Sequence, residues 1–212
     1  MNVIFDLDGT LVDSLPGIEE SARVAIARVL PEEPVPELRA LIGPPIATMF
    51  ALAWPDLDQL RLEQLVSEFR KHYDAAGCLL SKPYPQVAET LAHLHQAGRR
   101  LFVLTNKPTA PAKKILAHLG WSAFFTEIMG PDAVSPPFHR KSDGARLLSQ
   151  KHGLAPGSAI LVGDGVDDGE AAAAGGFPFV VASYGYGKAA DKKLFTPLAT
   201  VKNISEIKQY LL

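Results

Sequence analysis

The chain of 212 residues carries one cysteine, Cys78. A lone thiol makes neither an intrachain disulfide nor a cysteine zinc site, so packing has to hold the fold. The sequence reads as built for a reducing compartment, with Cys78 a small core residue. There is also no excess of either charge: 21 Lys and Arg face 23 Asp and Glu, a net of −2. That balance gives no global attraction to nucleic acid or to an anionic membrane. No long hydrophobic run is present. The longest uncharged stretch, Ala171 to Gly187, contains Pro178 and the glycines at 175, 176, 185 and 187, which argues against a membrane span. The start runs from Met1 straight into Val3-Ile4-Phe5 and then acids at Asp6 and Asp8, without the basic segment and apolar stretch of a signal peptide. A cytoplasmic protein with no nucleic-acid or membrane partner is the expectation.

Other absences narrow the chemistry. The six histidines form no metal set, since His93 and His95 sit two apart on a helical stretch and cannot share a face. The acids after Phe5 lack the spacing and closing Glu of an EF-hand. There is no P-loop. Gly163-Asp164-Gly165 resembles the start of a dinucleotide fingerprint, but Asp168 stands where the third glycine belongs, and an acid there repels a pyrophosphate.

What is present is alternation. Val3–Phe5, Arg100–Leu104, Phe125–Met129, Ala159–Val162 and Phe179–Val181 are short apolar runs, and Leu198–Val201 fits a short edge strand. Runs that are apolar throughout, rather than at every second residue, suit strands buried on both faces of a parallel sheet. Between them the pattern predicts helices over Val87–Gln96, Ala110–Leu119, Ser142–His152 and Asp168–Ala174, with Gly98, Gly120, Gly153 and Gly175 as stops. Strand and helix alternating in this way predict an α/β fold with a doubly wound, Rossmann-like parallel sheet.

One stretch breaks the alternation. From about Leu15 to Lys82 no strand is evident; helices are expected over Pro16–Leu30, Glu37–Leu41, Ile46–Ala53 and Leu57–Ala76. The expected organisation is a core of residues 1–14 and 83–212, with an all-helical module of 15–82 inserted after the first strand. Pro85 is expected to open the next helix, and a helix capped by Asn203 or Ser205 to close the chain at Leu212.

Ligands bind at the carboxyl ends of strands in open α/β sheets. Those ends carry Asp6-Leu7-Asp8-Gly9-Thr10, then Thr105-Asn106-Lys107, then Gly163-Asp164, with Asp167 and Asp168 following and Lys141 near the third connection. Carboxylates gathered beside buried strands repel one another and lose hydration, so a purely structural protein gains nothing from them. A divalent cation changes the balance, because Mg²⁺ takes oxygen ligands, one or two carboxylates plus substrate phosphate. Asp6 and Asp164 would supply the carboxylates, and Lys141, Thr105 and Asn106 are donors suited to phosphate oxygens. In such a site Asp6 could attack phosphorus and Asp8 could move the proton.

The residues Asp6-Leu7-Asp8-Gly9-Thr10-Leu11-Val12-Asp13 resemble the first motif of the haloacid dehalogenase-like superfamily of phosphohydrolases. Thr105-Asn106 is similar to its second motif, Lys141 to its third, and Gly163-Asp164 with Asp168 to its fourth. Ile42-Gly43-Pro44-Pro45, Tyr84-Pro85 and Leu104-Thr105-Asn106-Lys107-Pro108 resemble the phosphoglycolate phosphatase-like branch, which carries a helical cap after the first strand. The likeness extends over nearly the whole chain, with Ser142 after Lys141 where that branch usually has proline, and with Asp167 as an extra acid. The resemblance implies Asp6 as nucleophile, Asp8 as acid and base, and Mg²⁺ held by the Asp6 carboxylate, the Asp8 carbonyl and the Asp164 carboxylate. It implies Thr105, Asn106 and Lys141 on the phosphoryl group and Asp168 orienting Lys141 or metal-bound water. An aspartate two residues after the nucleophile points away from dehalogenation. In the helical module, Arg39 is the candidate for a second anionic group of the substrate. The expectation is a Mg²⁺-dependent phosphatase of a small phosphorylated metabolite, with the cap closing over the site. The rival readings are a phosphomutase of a sugar phosphate and a non-catalytic phospholigand-binding protein on the same fold.

Overall fold

The computed structural model describes residues 1–41, 44–187 and 196–211. Ile42 and Gly43 of the Ile42-to-Pro45 segment, and Leu212, lie outside the described residues. The chain divides into two units, Met1–Asp13 with Pro83–Leu212, and Ser14–Lys82.

In the first unit the strands are β1 (Asn2–Phe5), β2 (Val12–Asp13), β3 (Lys82–Pro83), β4 (Leu101–Leu104), β5 (Phe125–Met129), β6 (Ala159–Gly163), β7 (Phe179–Ala182) and β8 (Ala199–Val201), Lys82 itself counting with the second unit. Six of them form one sheet in the order β5-β4-β1-β6-β7-β8, and β2 pairs with β3. Every neighbouring pair in the large sheet is parallel. Counted along the chain the order is 3-2-1-4-5-6, the doubly wound arrangement, whose switch point lies between β1 and β6. A ligand crevice belongs at the carboxyl ends of these two strands, where Asp6 follows Phe5 and Asp164 follows Gly163.

The apolar strands are buried as their composition requires. On one face Ile4, Phe102, Leu104, Leu161, Phe179 and Val181 pack with Ala145 and Leu148 of α6 (Lys141–His152) and Ala171 and Ala172 of α7 (Val166–Gly175). The alternate residues Val3, Phe5, Leu101, Val103, Ile160, Val162 and Val180 point to the other face and are fully buried too. The first unit also contains α4 (Val87–Gln96) and α5 (Thr109–His118), which bury Leu91, Leu94, Ile115 and Leu116. The two edge strands, β5 and β8, show partial exposure along their length.

The second unit is helical: α1 (Leu15–Val29), α2 (Ile46–Ala53) and α3 (Gln59–Ala75), with short 3-10 turns at Leu38–Leu41 and Gly77–Leu80. Pro16 stands second in the first turn of α1, and the Asp58 side chain caps α3 by accepting the Arg61 N–H at 2.9 Å. Its buried residues include Ile18, Ala22, Ile26, Phe50, Leu65 and Phe69, with Cys78 fully buried. Among the described residues no helix is long and apolar enough to cross a membrane.

Three local expectations are corrected. Pro85 does not open α4; the helix starts at Val87 after Gln86, whose φ of +64° turns the chain. The left-handed stop of α7 is Gly176, one residue later than Gly175. The closing segment Ile204–Tyr210 winds as a 3-10 helix, capped by Asn203 accepting the Ser205 N–H at 2.9 Å.

Candidate active site

Asp6 leaves β1 buried, with 5% of its surface exposed. The next turn brings the chain back on itself: the N–H groups of Leu11 and Val12 bond the Leu7 carbonyl. Gly9 lies in this turn with φ at +86°, and a Cβ there would sit 2.2 Å from Asp164 Oδ2. Only glycine satisfies both the backbone angle and the contact. The turn is thereby pressed directly against the acid at the end of β6.

Lys141, the first residue of α6, reaches into this place. Its Nζ donates to Asp6 Oδ1 at 2.6 Å and to Asp168 Oδ1 at 2.6 Å, and lies 3.5 Å from Asp167 Oδ2. The first two pairs are buried, whereas Asp167 is half-exposed. Asp168 also accepts the Gly165 N–H on Oδ2 at 3.0 Å, so both its oxygens are engaged. Asp164 Oδ2 accepts the N–H groups of Tyr186 at 2.7 Å and Gly187 at 2.8 Å. Gly187 is there of necessity, since a Cβ would meet the Asp164 carbonyl oxygen at 1.9 Å.

The electrostatics follow from burial. Loss of water pushes the Asp6 carboxyl well above the usual range despite Lys141, and Asp168, Asp164 and Asp8 push it further. Burial raises Asp168 to about 7 against the pull of Lys141. Burial raises Asp164 as well, partly offset by the Gly187 N–H. Burial would depress the Lys141 ammonium, but Asp167, Asp168 and Asp6 outweigh it and hold it well above its ordinary value.

Ligand atoms of Asp6, Asp164 and Asp168 lie within 4.8 Å of one another. Of these three buried carboxylates only Asp6 and Asp168 pair with the Lys141 ammonium, a deficit of positive charge that a divalent cation would relieve. Among the described residues Asp6 Oδ2 and Asp164 Oδ1 accept no hydrogen bond, whereas Asp168 is fully engaged. The donor set therefore fits a divalent cation on Asp6 and Asp164, while Asp168 is bound to Lys141 and the Gly165 N–H.

The remaining groups come from the loop after β4. Thr105 is buried, and its Oγ1 accepts the Lys107 N–H at 3.1 Å, which leaves the hydroxyl proton available to donate. Asn106 Nδ2 donates to Asp167 Oδ2 at 2.7 Å. The Asp8 carboxylate stands outside the cluster of three and takes the Lys107 ammonium on Oδ1 at 2.6 Å. Arg39 lies on the 3-10 turn of the second unit and is exposed.

Sequence reasoning placed Lys107 at the sheet edge without giving it a role, and it missed the Tyr184-to-Gly187 loop. Lysines are solvated by default, so nothing in composition singles out Lys107. Two glycines alternating with two tyrosines after a buried strand were a usable signal for close backbone approach. Both tyrosines are anchored: Tyr184 donates to the Thr10 carbonyl at 2.9 Å and Tyr186 to Asp13 Oδ1.

Residues 3–182 match the haloacid dehalogenase-like hydrolase family. The phosphoglycolate phosphatase of Xylella fastidiosa is 36% identical over 187 residues, 87% of this chain and 80% of that protein. The tyrosine-protein kinase PtkA of Mycobacterium tuberculosis is 34% identical over 215 residues, 99% of this chain and 72% of that protein. A solved haloacid dehalogenase-like hydrolase from Streptococcus pneumoniae superposes with a TM-score of 0.88 at 29% identity, covering 100% of this chain and 98% of that one. The strand order, the acids at the switch point and these likenesses agree, and the chain belongs to the haloacid dehalogenase-like hydrolases.

Proposed function

We propose that this phosphatase hydrolyses a small-molecule phosphomonoester with Mg²⁺, through an aspartyl phosphate on Asp6. The observation that carries the reading is the pair Asp6 and Asp8. They stand two residues apart at the switch point, Asp6 bound by Lys141 and Asp8 by Lys107. A binding protein needs no second, proton-handling carboxylate beside the first. In the first step a carboxylate oxygen of Asp6 attacks phosphorus, the P–O bond to the leaving group breaks, and Asp8 gives its proton to the departing oxygen. In the second step water attacks the phosphorus of the aspartyl phosphate and its proton passes to Asp8. The bond between Asp6 and phosphorus breaks, and inorganic phosphate leaves with both side chains restored.

Lys141, the Thr105 hydroxyl and the Asn106 backbone N–H would hold the phosphoryl oxygens. Asp6, the Asp8 carbonyl and Asp164 would hold Mg²⁺, which when bound supplies positive charge to the transferring phosphoryl group. Asp168 keeps Lys141 in place. The 36% identity to a phosphoglycolate phosphatase supports a small phosphorylated metabolite as substrate. Arg39 is proposed to meet a second anionic group on it, and the cytoplasm is the proposed setting.

The test is phosphate release from a panel of phosphomonoesters, with Mg²⁺ and with chelator, for the native protein and Asp6→Asn. Release should require the metal and fall by at least about 10³-fold in Asp6→Asn. No release from any ester by the folded protein would overturn the reading. So would transfer of the γ-phosphoryl group of ATP to protein tyrosine in place of release to water.

A further inference from the structure

Lys107 is buried and charged, and the mechanism above gives it nothing to do. Its side chain is 6% exposed. Removing an ammonium from water is costly unless a partner repays it, and here the Asp8 carboxylate is 2.6 Å away. The backbone that delivers it is fixed on both sides. Its N–H is bound by Thr105 Oγ1, and its carbonyl oxygen would lie 2.4 Å from a Cβ at Gly130, so the two segments touch backbone to backbone. Two residues on, the Thr109 N–H donates to Asp132 Oδ1 at 2.7 Å, and the Gly130 N–H donates to Thr109 Oγ1 at 3.3 Å. The loop is thus tied at three points to the segment after β5, and the ammonium arrives at a set place.

We propose that Lys107 is a positioning residue that holds the Asp8 carboxylate in the one orientation from which it serves the leaving group. The proposal rests on the aspartyl-phosphate reading and adds to it. Asp8 sits on a turn and its carboxylate is partly exposed, so without a tether it has several rotamers open to it. Lys141 does the corresponding task for Asp6. A displacement of about 1 Å at a reacting group costs about 100-fold in rate. The loss should fall on the step in which Asp8 protonates a departing oxygen, and should spare esters whose leaving group departs without a proton.

The experiment compares kcat/KM for an alkyl phosphate and for 2,4-dinitrophenyl phosphate, in the native protein, Lys107→Met and Lys107→Gln. Inhibition by inorganic phosphate is measured alongside. The proposal expects Lys107→Met to lose about 100-fold on the alkyl ester and less than about threefold on the dinitrophenyl ester, with phosphate inhibition unchanged. Lys107→Gln, which keeps a hydrogen-bond donor, should recover part of the alkyl-ester rate and serves in its place if Lys107→Met does not fold. Equal losses on both esters would overturn the proposal: weaker phosphate inhibition would then make Lys107 a phosphate ligand, and unchanged inhibition a structural residue. No loss on either ester would overturn it too. A native protein inactive on both esters would instead defeat the reading beneath it.

Discussion

The two units of the chain handle charge in opposite ways. The α/β unit buries Asp6, Asp164, Asp168, Lys107 and Lys141 close together. The helical unit keeps its formal charges out: among its described residues no Asp, Glu, Lys or Arg side chain is buried, and its ion pairs, such as Arg28 with Glu68, stand at the surface. Its interior is uncharged and mainly apolar, with Leu65, Phe50 and Phe69 buried and rings of Phe69 and Tyr73 stacked 5.2 Å apart. A helical unit with an oily centre needs nothing beyond packing to hold it. A unit that compresses like charges together is set up for a task other than its own stability.

That contrast can be broken at defined places. The largest expected effect is at Lys141. Lys141→Met leaves Asp6 and Asp168 without their shared cation, and should lower stability by about 3–5 kcal/mol and abolish phosphate release, read by denaturant melts and by assay. In the helical unit the matching blow is apolar: Leu65→Ala should cost about 2–5 kcal/mol through the cavity it leaves, read by the same melts. A smaller cost at Leu65 than at any surface ion pair would undo the contrast.

A pH test sharpens it at the edge of the sheet, away from the site. Glu127 is partly buried, which alone would raise its carboxyl, but hydrogen bonds from Lys151 and His152 bring it below the usual range. A depressed carboxyl stabilises the fold above the unfolded value and loses that contribution as pH falls through the folded one. Glu127→Gln should therefore cost about half a kcal/mol at neutral pH after solvent screening, and the gap to the native protein should close below about pH 4. The smallest effect is expected at Arg28→Ala in the helical unit. Its pair with Glu68 is exposed, so the melting temperature should move by no more than about one degree.

How far the sequence foretold this depends on which forces set each feature. The six strands of the large sheet were legible because a strand buried on both faces must be apolar throughout. The alternation with helices was legible for the same reason. The acids at the switch point could be read because no packing need explains Asp6, Asp8 and Asp164 beside buried strands. Lys107 was opaque, since a lysine's burial depends on a partner 99 residues away. The N–H groups of Tyr186 and Gly187 were opaque too, because a backbone donor leaves no mark in residue identity. Gln86 at positive φ was hidden for a related reason: the turn is imposed by the chain on either side of it, with no Gly to announce it.

The position of β1 at the middle of the sheet has a consequence in time. Val3 pairs with Leu101, and Asn2 with Ala159. On a ribosome working at about 5–20 residues per second, β1 emerges roughly 5–20 s before its first neighbour and roughly 8–30 s before its second. Through that interval the apolar end of β1, and the carboxylate that follows it, wait without a sheet. The helical unit, whose last residue is Lys82, can settle meanwhile. Asp6 is thus among the earlier residues to be made and among the later to be placed, and the slow phase of folding should coincide with the appearance of the site.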